Sequence, residues 1–127
     1  MIKETYCSYE VAKLLKEKGF HEPCIATYNS TTKNFQVEEI YEDWTIHWKG
    51  YISAPTLQMV IKWLIEEKNI LIVIEPHDYD YINEKSKSFS WSLWAGGNYY
   101  ECIESKDYPS YEEAIEAALK YCLNNLI

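Results

Sequence analysis

The densest group of polar side chains able to do chemistry is the run Glu75-Pro-His-Asp-Tyr-Asp80. Within it, His77, Asp78 and Asp80 offer an imidazole and two carboxylates, which are ligands for a divalent metal and groups for acid–base catalysis. Proline, aspartate and short polar residues are also typical of a solvated loop. The run is therefore interpreted as a polar loop, a metal or catalytic site, or the lip of a binding site, and these alternatives stay open.

The other polar motifs give weaker indications of catalysis. His21 and His47 are expected to be ordinary, partly exposed side chains. A serine or cysteine nucleophile needs a positioned base and an oxyanion hole, and the sequence contains no Gly-x-Ser-x-Gly turn and no glycine-rich phosphate loop. Gly96-Gly97 is typical of a tight hairpin turn. We therefore expect no cofactor, and enzymatic activity is the less favoured interpretation.

Aromatic side chains are a second candidate for function, since the chain has twelve Tyr and five Trp but only three Phe. Tyr and Trp are enriched where proteins bind each other, and a groove of such rings can also stack on a sugar. Alternatively, several of them fill the second face of a sheet. The residues of interest are Tyr41, Trp44, Trp48, Tyr51, Tyr79, Tyr81 and Trp94. The predicted binding residues among them are Trp44, Trp48, Tyr79, Tyr81 and Trp94.

The net charge of −8 narrows the choice of partner. All twelve cationic side chains are lysines and arginine is absent, although arginine is the residue that grips phosphates with a planar fork. Nucleic-acid binding needs a basic surface, so neither a nucleic acid nor a nucleotide is expected as a partner. An acidic surface aids solubility; the alternative is that it imitates a polyanion or docks a basic protein.

The four cysteines, at positions 7, 24, 102 and 122, form no CxxC pair, which argues against a zinc knuckle. The opening residues lack the apolar run of a signal peptide, and no apolar run is long enough to span a membrane. We therefore expect a cytoplasmic protein with no membrane partner, in which free thiols fill the core.

The stretch that positions everything else runs from Ala54 to Glu75 and reads as a helix followed directly by a strand. Pro55 suits the first helical turn, and Asn69 suits the end of the helix. The apolar residues that recur in the helix are Leu57, Met59, Val60, Ile61, Trp63, Leu64 and Ile65. They form a face wider than the roughly 100° stripe of an ordinary surface helix, so this helix is predicted to be covered on two sides.

The run Ile70 to Ile74 follows that helix. It is apolar at every position, which is typical of a strand in the middle of a sheet with both faces covered. The polar residues 76–87 are predicted to form a loop after this strand. The run that contains His77 would then lie where the most buried strand ends.

The C-terminal part predicts two more strands and a helix. Residues 88–94 alternate strictly between apolar and polar, 95–98 form a tight turn, and 99–104 return as the next strand. Together with the preceding apolar run, these strands make a three-stranded antiparallel meander. Ser110 and Glu113 have the spacing of a capping box at the start of an amphipathic helix.

The N-terminal half begins with a predicted helix over residues 8–18. Ser8 suits its N-cap, and Gly19 suits its end. Residues 24–29 and 35–40 then predict the two strands of a hairpin.

Residues 41–53 are ambiguous. Trp44, Ile46 and Trp48 alternate with polar residues as in a strand, while an irregular, aromatic-rich segment fits equally well. Together these elements predict a single α+β domain over residues 1–127. Its antiparallel sheet, made of the C-terminal meander and the N-terminal hairpin, is packed with three helices.

Three segments resemble a family of short uncharacterised proteins that occurs in gut bacteria and in their phages and mobile elements. They are Ser8 to Phe20, Ala54 to Leu64 and Ser110 to Cys122. The resemblance covers most of the chain and implies an intracellular accessory protein. It implies no activity and no site residue.

The predicted order of helix, three antiparallel strands and helix over residues 55–126 is similar to that of a double-stranded-RNA-binding domain. Such domains present lysines to the phosphates at the start of the final helix. This chain has Glu112 and Glu113 there, preceded by Glu101 and Asp107. The reversed charge leads us to reject RNA binding.

The leading interpretation is a non-enzymatic, intracellular protein-interaction module of a phage or mobile-element accessory type. It would bind another protein, or itself, through exposed Trp and Tyr side chains. The wide apolar helix, the many aromatic residues, the lack of arginine and the lack of a catalytic motif favour it. The alternative is a small-ligand or metal-binding protein, or an enzyme, that uses His77, Asp78 and Asp80 beside an aromatic pocket.

Overall fold

The computed structural model describes residues 3–102 and 107–127. In these residues it has four helices and two antiparallel sheets of three strands each, so the predicted α+β class is confirmed. The helices are α1 (Tyr9–Glu17), α2 (Trp44–His47), α3 (Leu57–Lys68) and α4 (Tyr111–Asn125). The strands are β1 (Cys24–Asn29), β2 (Phe35–Glu42), β3 (Tyr51–Ser53), β4 (Ile70–Asp80), β5 (Lys85–Ala95) and β6 (Asn98–Glu101). No helix within these ranges combines the length and hydrophobicity that crossing a membrane requires.

The first sheet contains the predicted N-terminal hairpin of β1 and β2 and has the strand order β2-β1-β3. Asn29 closes the hairpin turn, because its backbone N–H donates to the Asn34 carbonyl at 2.9 Å. The side-chain oxygen of Asn29 accepts hydrogen bonds from the N–H groups of Thr31 and Thr32, which is a common way for Asn to stabilise a turn. β2 and β3 are the two edge strands of this sheet.

The second sheet is the predicted meander and has the order β4-β5-β6. The turn between β5 and β6 contains Gly96 and Gly97 at φ values of 57° and 80°. This left-handed geometry is what a two-residue hairpin turn requires at both positions. The end of the strand predicted over 99–104 lies outside the described residues.

The three longer helices share one core with the buried faces of both sheets. α1 packs against β3 and α4, while α3 packs against β4 and α4 packs against β5. One polar contact fixes the start of α1, because the Glu116 carboxylate on α4 accepts hydrogen bonds of 2.8 Å from both the backbone N–H and the hydroxyl of Ser8. Ser8 is also the predicted N-cap of α1, so this contact joins two helices at a helix terminus.

The central helix α3 begins at Leu57, and the prediction of Pro55 in its first turn is wrong. Thr56 is the N-cap, and its hydroxyl accepts a hydrogen bond from the Met59 N–H at 3.2 Å. Threonine is favoured there because it satisfies a backbone donor at the helix start, and Pro55 lies just before it with a buried side chain. The predicted end of the helix is confirmed, since Asn69 has a left-handed φ of 54°.

The predicted width of the apolar face of α3 is only partly correct. Leu57, Val60, Trp63 and Leu64 are buried and span about 120° of the circumference at about 100° per residue. Ile65, however, is 44% exposed, so its inward placement is wrong. The core covers one side of α3, and the second covering layer predicted for this helix does not extend to Ile65.

β4 is an edge strand, and the prediction of a central strand covered on both faces is wrong. Ile70 is buried, but Leu71 and Val73 on the opposite face are 49% and 39% exposed. A continuous apolar run looks the same in sequence whether or not its second face is covered. The strand also continues to Asp80, so residues 76–87, predicted as a loop, form the far end and the turn of a long two-stranded ribbon.

Local features explain why this polar segment forms a ribbon. Pro76 lies in an edge strand, where its missing N–H need not break a ladder bond. At the tip, the Asp80 carboxylate accepts hydrogen bonds from the N–H groups of Ile82 and Asn83 at 2.9 and 3.2 Å. These bonds close the turn between β4 and β5, so the polar residues build the end of a hairpin.

Residues 41–53 contain the short helix α2 and the short strand β3. The alternative in which Trp44 and Trp48 lie in a strand is therefore wrong. The alternation that suggested it is misleading because Asp43 caps a helical turn, its carboxylate accepting from the Ile46 N–H at 3.3 Å. Trp44 is buried, and its indole N–H donates to the Cys24 carbonyl at 2.6 Å. This helix is additional to the three that were predicted.

Leu64 and Lys62 test the orientation of α3. Leu64 is fully buried, whereas Lys62 is exposed and makes a 3.8 Å ion pair with Glu66. We expect Leu64→Ala to lower the free energy of unfolding by about 2–5 kcal/mol, and Lys62→Ala to change it by no more than about 0.5 kcal/mol. Urea unfolding followed by circular dichroism measures both, and equal losses would contradict the orientation.

The predicted core role of the cysteines is confirmed for Cys7, Cys24 and Cys122, which are buried, while Cys102 is half-buried. Burial raises the pKa of the Cys24 and Cys122 thiols to about 12 and raises the pKa of Cys7 as well. Because the thiolate is the reactive form, we expect iodoacetamide to modify Cys102 rapidly in the native protein. The other three should react at that rate only in urea, as mass spectrometry would show, and rapid native modification of Cys7 would contradict its burial.

Candidate functional site

The five predicted binding residues lie on two separate surfaces. Trp44 and Trp48 are at α2, beside the first sheet, whereas Tyr79, Tyr81 and Trp94 belong to the second sheet and its ribbon. The two groups are therefore candidates for two different sites.

A groove of about 550 Å³ lies between β2 and α2. Its lining residues, called the α2 groove below, are Gln36, Val37, Glu38, Glu39, Ile40, Trp44, Trp48 and Tyr51. Trp48 is 48% exposed and forms an aromatic wall, and the centroid of its ring lies 5.7 Å from that of Trp44. The volume falls within the range of about 300–1,000 Å³ that is typical of ligand pockets.

Hydrogen bonds hold α2 on the first sheet. The Trp44 N–H donates to the Ser53 hydroxyl at 3.1 Å, and the Ser53 N–H donates to the Thr45 hydroxyl at 3.2 Å. Together with the indole bond of Trp44 to Cys24, these contacts join α2 to β3 and β1. Trp44 therefore supports the groove from the core, and Trp48 is the member of the pair whose ring is exposed.

The opposite wall of the α2 groove is β2, an edge strand with acidic and apolar residues. Val37 and Ile40 are exposed, and Glu38 and Glu39 lie between them in the strand. The Glu38 carboxylate accepts a long hydrogen bond of 3.4 Å from the buried Thr27 hydroxyl. None of the residues lining the groove is basic, so its electrostatic potential favours cations.

Two histidines lie beside this surface, and each pairs with an acidic residue. The His21 imidazole is 3.3 Å from the Asp43 carboxylate, and the His47 imidazole contacts the Glu42 carboxylate. Both imidazoles are partly exposed, as expected from the sequence. Asp43 caps α2, and the pair of His47 with Glu42 joins the end of α2 to the end of β2. Both pairs therefore help to hold these two walls of the groove in place.

The second surface is the face of the second sheet that points away from the core. The register places Glu75 opposite Ser90 and His77 opposite Ser88 on this face. The His77 Nε2 and Ser90 Oγ atoms are 2.6 Å apart and form a hydrogen bond between the strands. A groove of about 190 Å³, called the histidine groove below, is lined by Glu75, His77, Ser90, Trp91, Ser92, Tyr99, Glu101, Cys102 and Asp107.

The structure does not bring His77, Asp78 and Asp80 together around one point. Asp80 is in the turn of the ribbon, where hydrogen bonds from Asn83 lower the pKa of its carboxyl. Asp78 accepts a hydrogen bond of 3.2 Å from the Ser88 hydroxyl, while His77 lines the histidine groove. Over residues 3–102 and 107–127, no three His, Cys, Asp or Glu side chains are grouped as metal ligands.

The aromatic residues of the second sheet lie far apart along the strands. Tyr79 and Tyr81 pack edge to face near the tip of the ribbon, with ring centroids 4.8 Å apart. Trp94, near the turn between β5 and β6, packs against Tyr99 with centroids 5.0 Å apart. Tyr99 also lines the histidine groove and gives it an aromatic side.

Sequence reasoning missed several residues of both surfaces. Nothing in the sequence marks Val37 and Glu39 as binding residues, because they line the α2 groove only where α2 packs beside β2. For Ser90 a signal exists, since serines at 86, 88, 90 and 92 mark one face of a strand. Its pairing with His77 becomes visible only when 76–87 is seen as a ribbon.

Comparison of the chain with models of protein families, with curated proteins and with solved structures finds no match. The resemblance to a family of short uncharacterised proteins therefore stays a prediction.

Proposed function

We propose that this protein is a non-enzymatic interaction module that binds an extended, basic segment of another protein along β2 and in the α2 groove. The observation that carries the proposal is the exposed Trp48 ring beside an edge strand with exposed apolar side chains. Aromatic anchors in a groove and open strand edges are features by which many domains capture peptides.

The edge of β2 can take an additional strand. Among the described residues, β2 pairs with β1 alone. Strand addition gives affinity through backbone hydrogen bonds and selectivity through contacts to every second side chain of the added segment. The α2 groove borders β2, so side chains on one face of the added segment would enter this groove, which Trp48 lines.

Charge selects the kind of partner. Glu38, Glu39 and Glu42 lie along β2, and the whole chain has a net charge of −8. A second copy paired at this edge would bring like charges together, which destabilises a strand pair. A segment that alternates basic and apolar residues matches both the charge and the groove, and its binding would weaken as salt is added.

The proposed place of action is the cytoplasm, where thiols stay reduced. All four cysteines are free, which fits that environment. The accessory role in a phage or mobile element comes from the resemblance and belongs to the same proposal.

Trp48→Ala tests the α2 groove, and Trp94→Ala is the matched control because the two rings are 48% and 50% exposed on different sheets. The probe is a synthetic peptide that alternates lysine with isoleucine and tyrosine, titrated by calorimetry at low salt. We expect Trp48→Ala to bind it at least about tenfold more weakly than wild type, as loss of an aromatic anchor typically causes. Trp94→Ala should bind it as wild type does.

The charge requirement is tested with a second peptide in which glutamate replaces lysine. Wild-type protein should not bind this peptide, and its binding of the lysine peptide should weaken as sodium chloride is raised. Equal affinity for both peptides, or equal losses in the two tryptophan variants, would contradict the proposal.

A second candidate function is the binding of a small cationic ligand in the histidine groove. The observation that favours it is the 2.6 Å contact between His77 and Ser90, in a groove also lined by Glu75, Glu101 and Asp107. Carboxylates beside an imidazole suit an organic amine, which they can bind through charged hydrogen bonds.

A thermal-shift screen with primary amines tests this second function. A ligand that binds the native state raises the unfolding temperature, and we expect His77→Ala to abolish that rise. His21→Ala, beside the first sheet, should keep it and serves as the control. If no compound shifts the wild type, or if His77→Ala shifts equally, ligand binding in this groove is contradicted.

A further inference from the structure

We propose that two copies of this chain pair through the free edges of β4, joining two three-stranded sheets into one six-stranded sheet. The contact is a two-fold symmetric, antiparallel strand pair. The residues of this contact are on the second sheet, whereas the α2 groove is on the first. The proposed dimer therefore does not depend on the function proposed for that groove.

The direction of the backbone groups of β4 can be worked out from its neighbour β5. The Phe89 N–H and carbonyl exchange hydrogen bonds of 2.8 Å with Tyr108, and the Trp91 carbonyl accepts from the Cys102 N–H at 3.1 Å. Backbone groups of successive strand residues point to alternate sides, so Phe89 and Trp91 direct theirs away from β4.

The β4 residues opposite Phe89 and Trp91 are Pro76 and Ile74. These two residues therefore direct their backbone groups to the open edge, and the same alternation places those of Ile72 and Ile70 there. Pro76 has no N–H to offer at this edge, which is the position that proline takes in an edge strand. The open donors and acceptors thus extend over Ile70 to Ile74 and end at Pro76.

The β4 edges of two copies match each other when the antiparallel pairing is centred on Ile72. It places Ile72 opposite the partner's Ile72 and Ile70 opposite the partner's Ile74, with about six backbone hydrogen bonds in these three pairs. On the outer face it places Leu71 beside the partner's Val73. Every pair in this register is apolar, and Glu75 and Pro76 lie beyond it.

The exposure of the β4 side chains and their lack of charge favour a second copy of the chain as the strand that pairs with this edge. Leu71 and Val73 are half exposed on the outer face, and Ile72 and Ile74 are half-buried at the margin of the core. A partner strand beside β4 would place apolar side chains next to them on both faces of the joined sheet. Long apolar edges are normally protected by charged residues. Ile70 to Ile74 carry none, whereas a copy paired at β2 would meet like charges.

Analytical ultracentrifugation over a range of concentrations tests the dimer. We expect wild type to reach twice the monomer mass and Val73→Lys to keep the mass of one chain. Each lysine would replace an apolar contact with the partner's Leu71, and the two like charges would lie diagonally across the two-fold axis and repel each other. Ile46→Lys, at an exposed residue of α2, is the matched control and should dimerise. Circular dichroism confirms that each variant is folded. A monomeric wild type at high concentration, or a dimeric Val73→Lys, would overturn the proposal.

The register is tested with the double variant L71C/V73C. Opposite residues in a non-hydrogen-bonded pair have Cα atoms about 4.5 Å apart, which is within the range that a disulfide spans. Mild oxidation should give a covalent dimer on a non-reducing gel, and Leu71→Cys alone, which faces the partner's Val73, should give none. Failure of the double variant to link, or equal linking by the single variant, would overturn this register.

Salt separates this proposal from the one for the α2 groove. Each copy has a net charge of −8, so screening the repulsion should strengthen the dimer. Binding of a basic peptide in the α2 groove should weaken under the same change. A dimer that dissociates as salt is raised would contradict an apolar β4 contact.

Discussion

The three long helices cover one face of each sheet, and both proposed binding surfaces follow from this constraint. Helices α1, α3 and α4 share a single core with buried residues of both sheets. Each sheet has three strands, so each has two edges and a second face that the core does not cover. In the first sheet, α2 lies against that face at the buried Ser53; in the second sheet, Leu71 and Trp94 remain exposed. Layer packing of this kind decides where polar and aromatic side chains can meet a partner.

The sequence predicted the parts of the fold that local chemistry decides. Ser8 and Ser110 begin helices because each hydroxyl accepts a hydrogen bond from the backbone N–H three residues ahead. Asn69 ends α3 because it tolerates a left-handed conformation, and Gly96-Gly97 fits a two-residue turn for a related reason. Each of these signals lies within a few residues of the structure that it determines.

The sequence failed where contacts between distant residues decide. The apolar run of β4 is compatible with a central strand, and its edge position depends on the absence of a further strand beside it in the sheet as described. Trp44 looked like a surface residue until its indole bond to Cys24 placed it in the core. The contact between His77 and Ser90 joins residues on different strands of a ribbon whose register was not predicted. The candidate sites were therefore less predictable than the fold class.

The two proposed surfaces are compatible because their edges differ in charge. Under the two proposals, the acidic edge of β2 would repel a second copy and attract a basic segment, while the uncharged edge of β4 would allow self-pairing up to Pro76. In the proposed dimer, the β4 contact leaves both α2 grooves open, since these lie on the first sheets of the two copies. A partner with two basic segments could then occupy both grooves, and the second binding event would be intramolecular. Self-association would in this way raise the avidity of two individually weak contacts without adding any new contact to either groove.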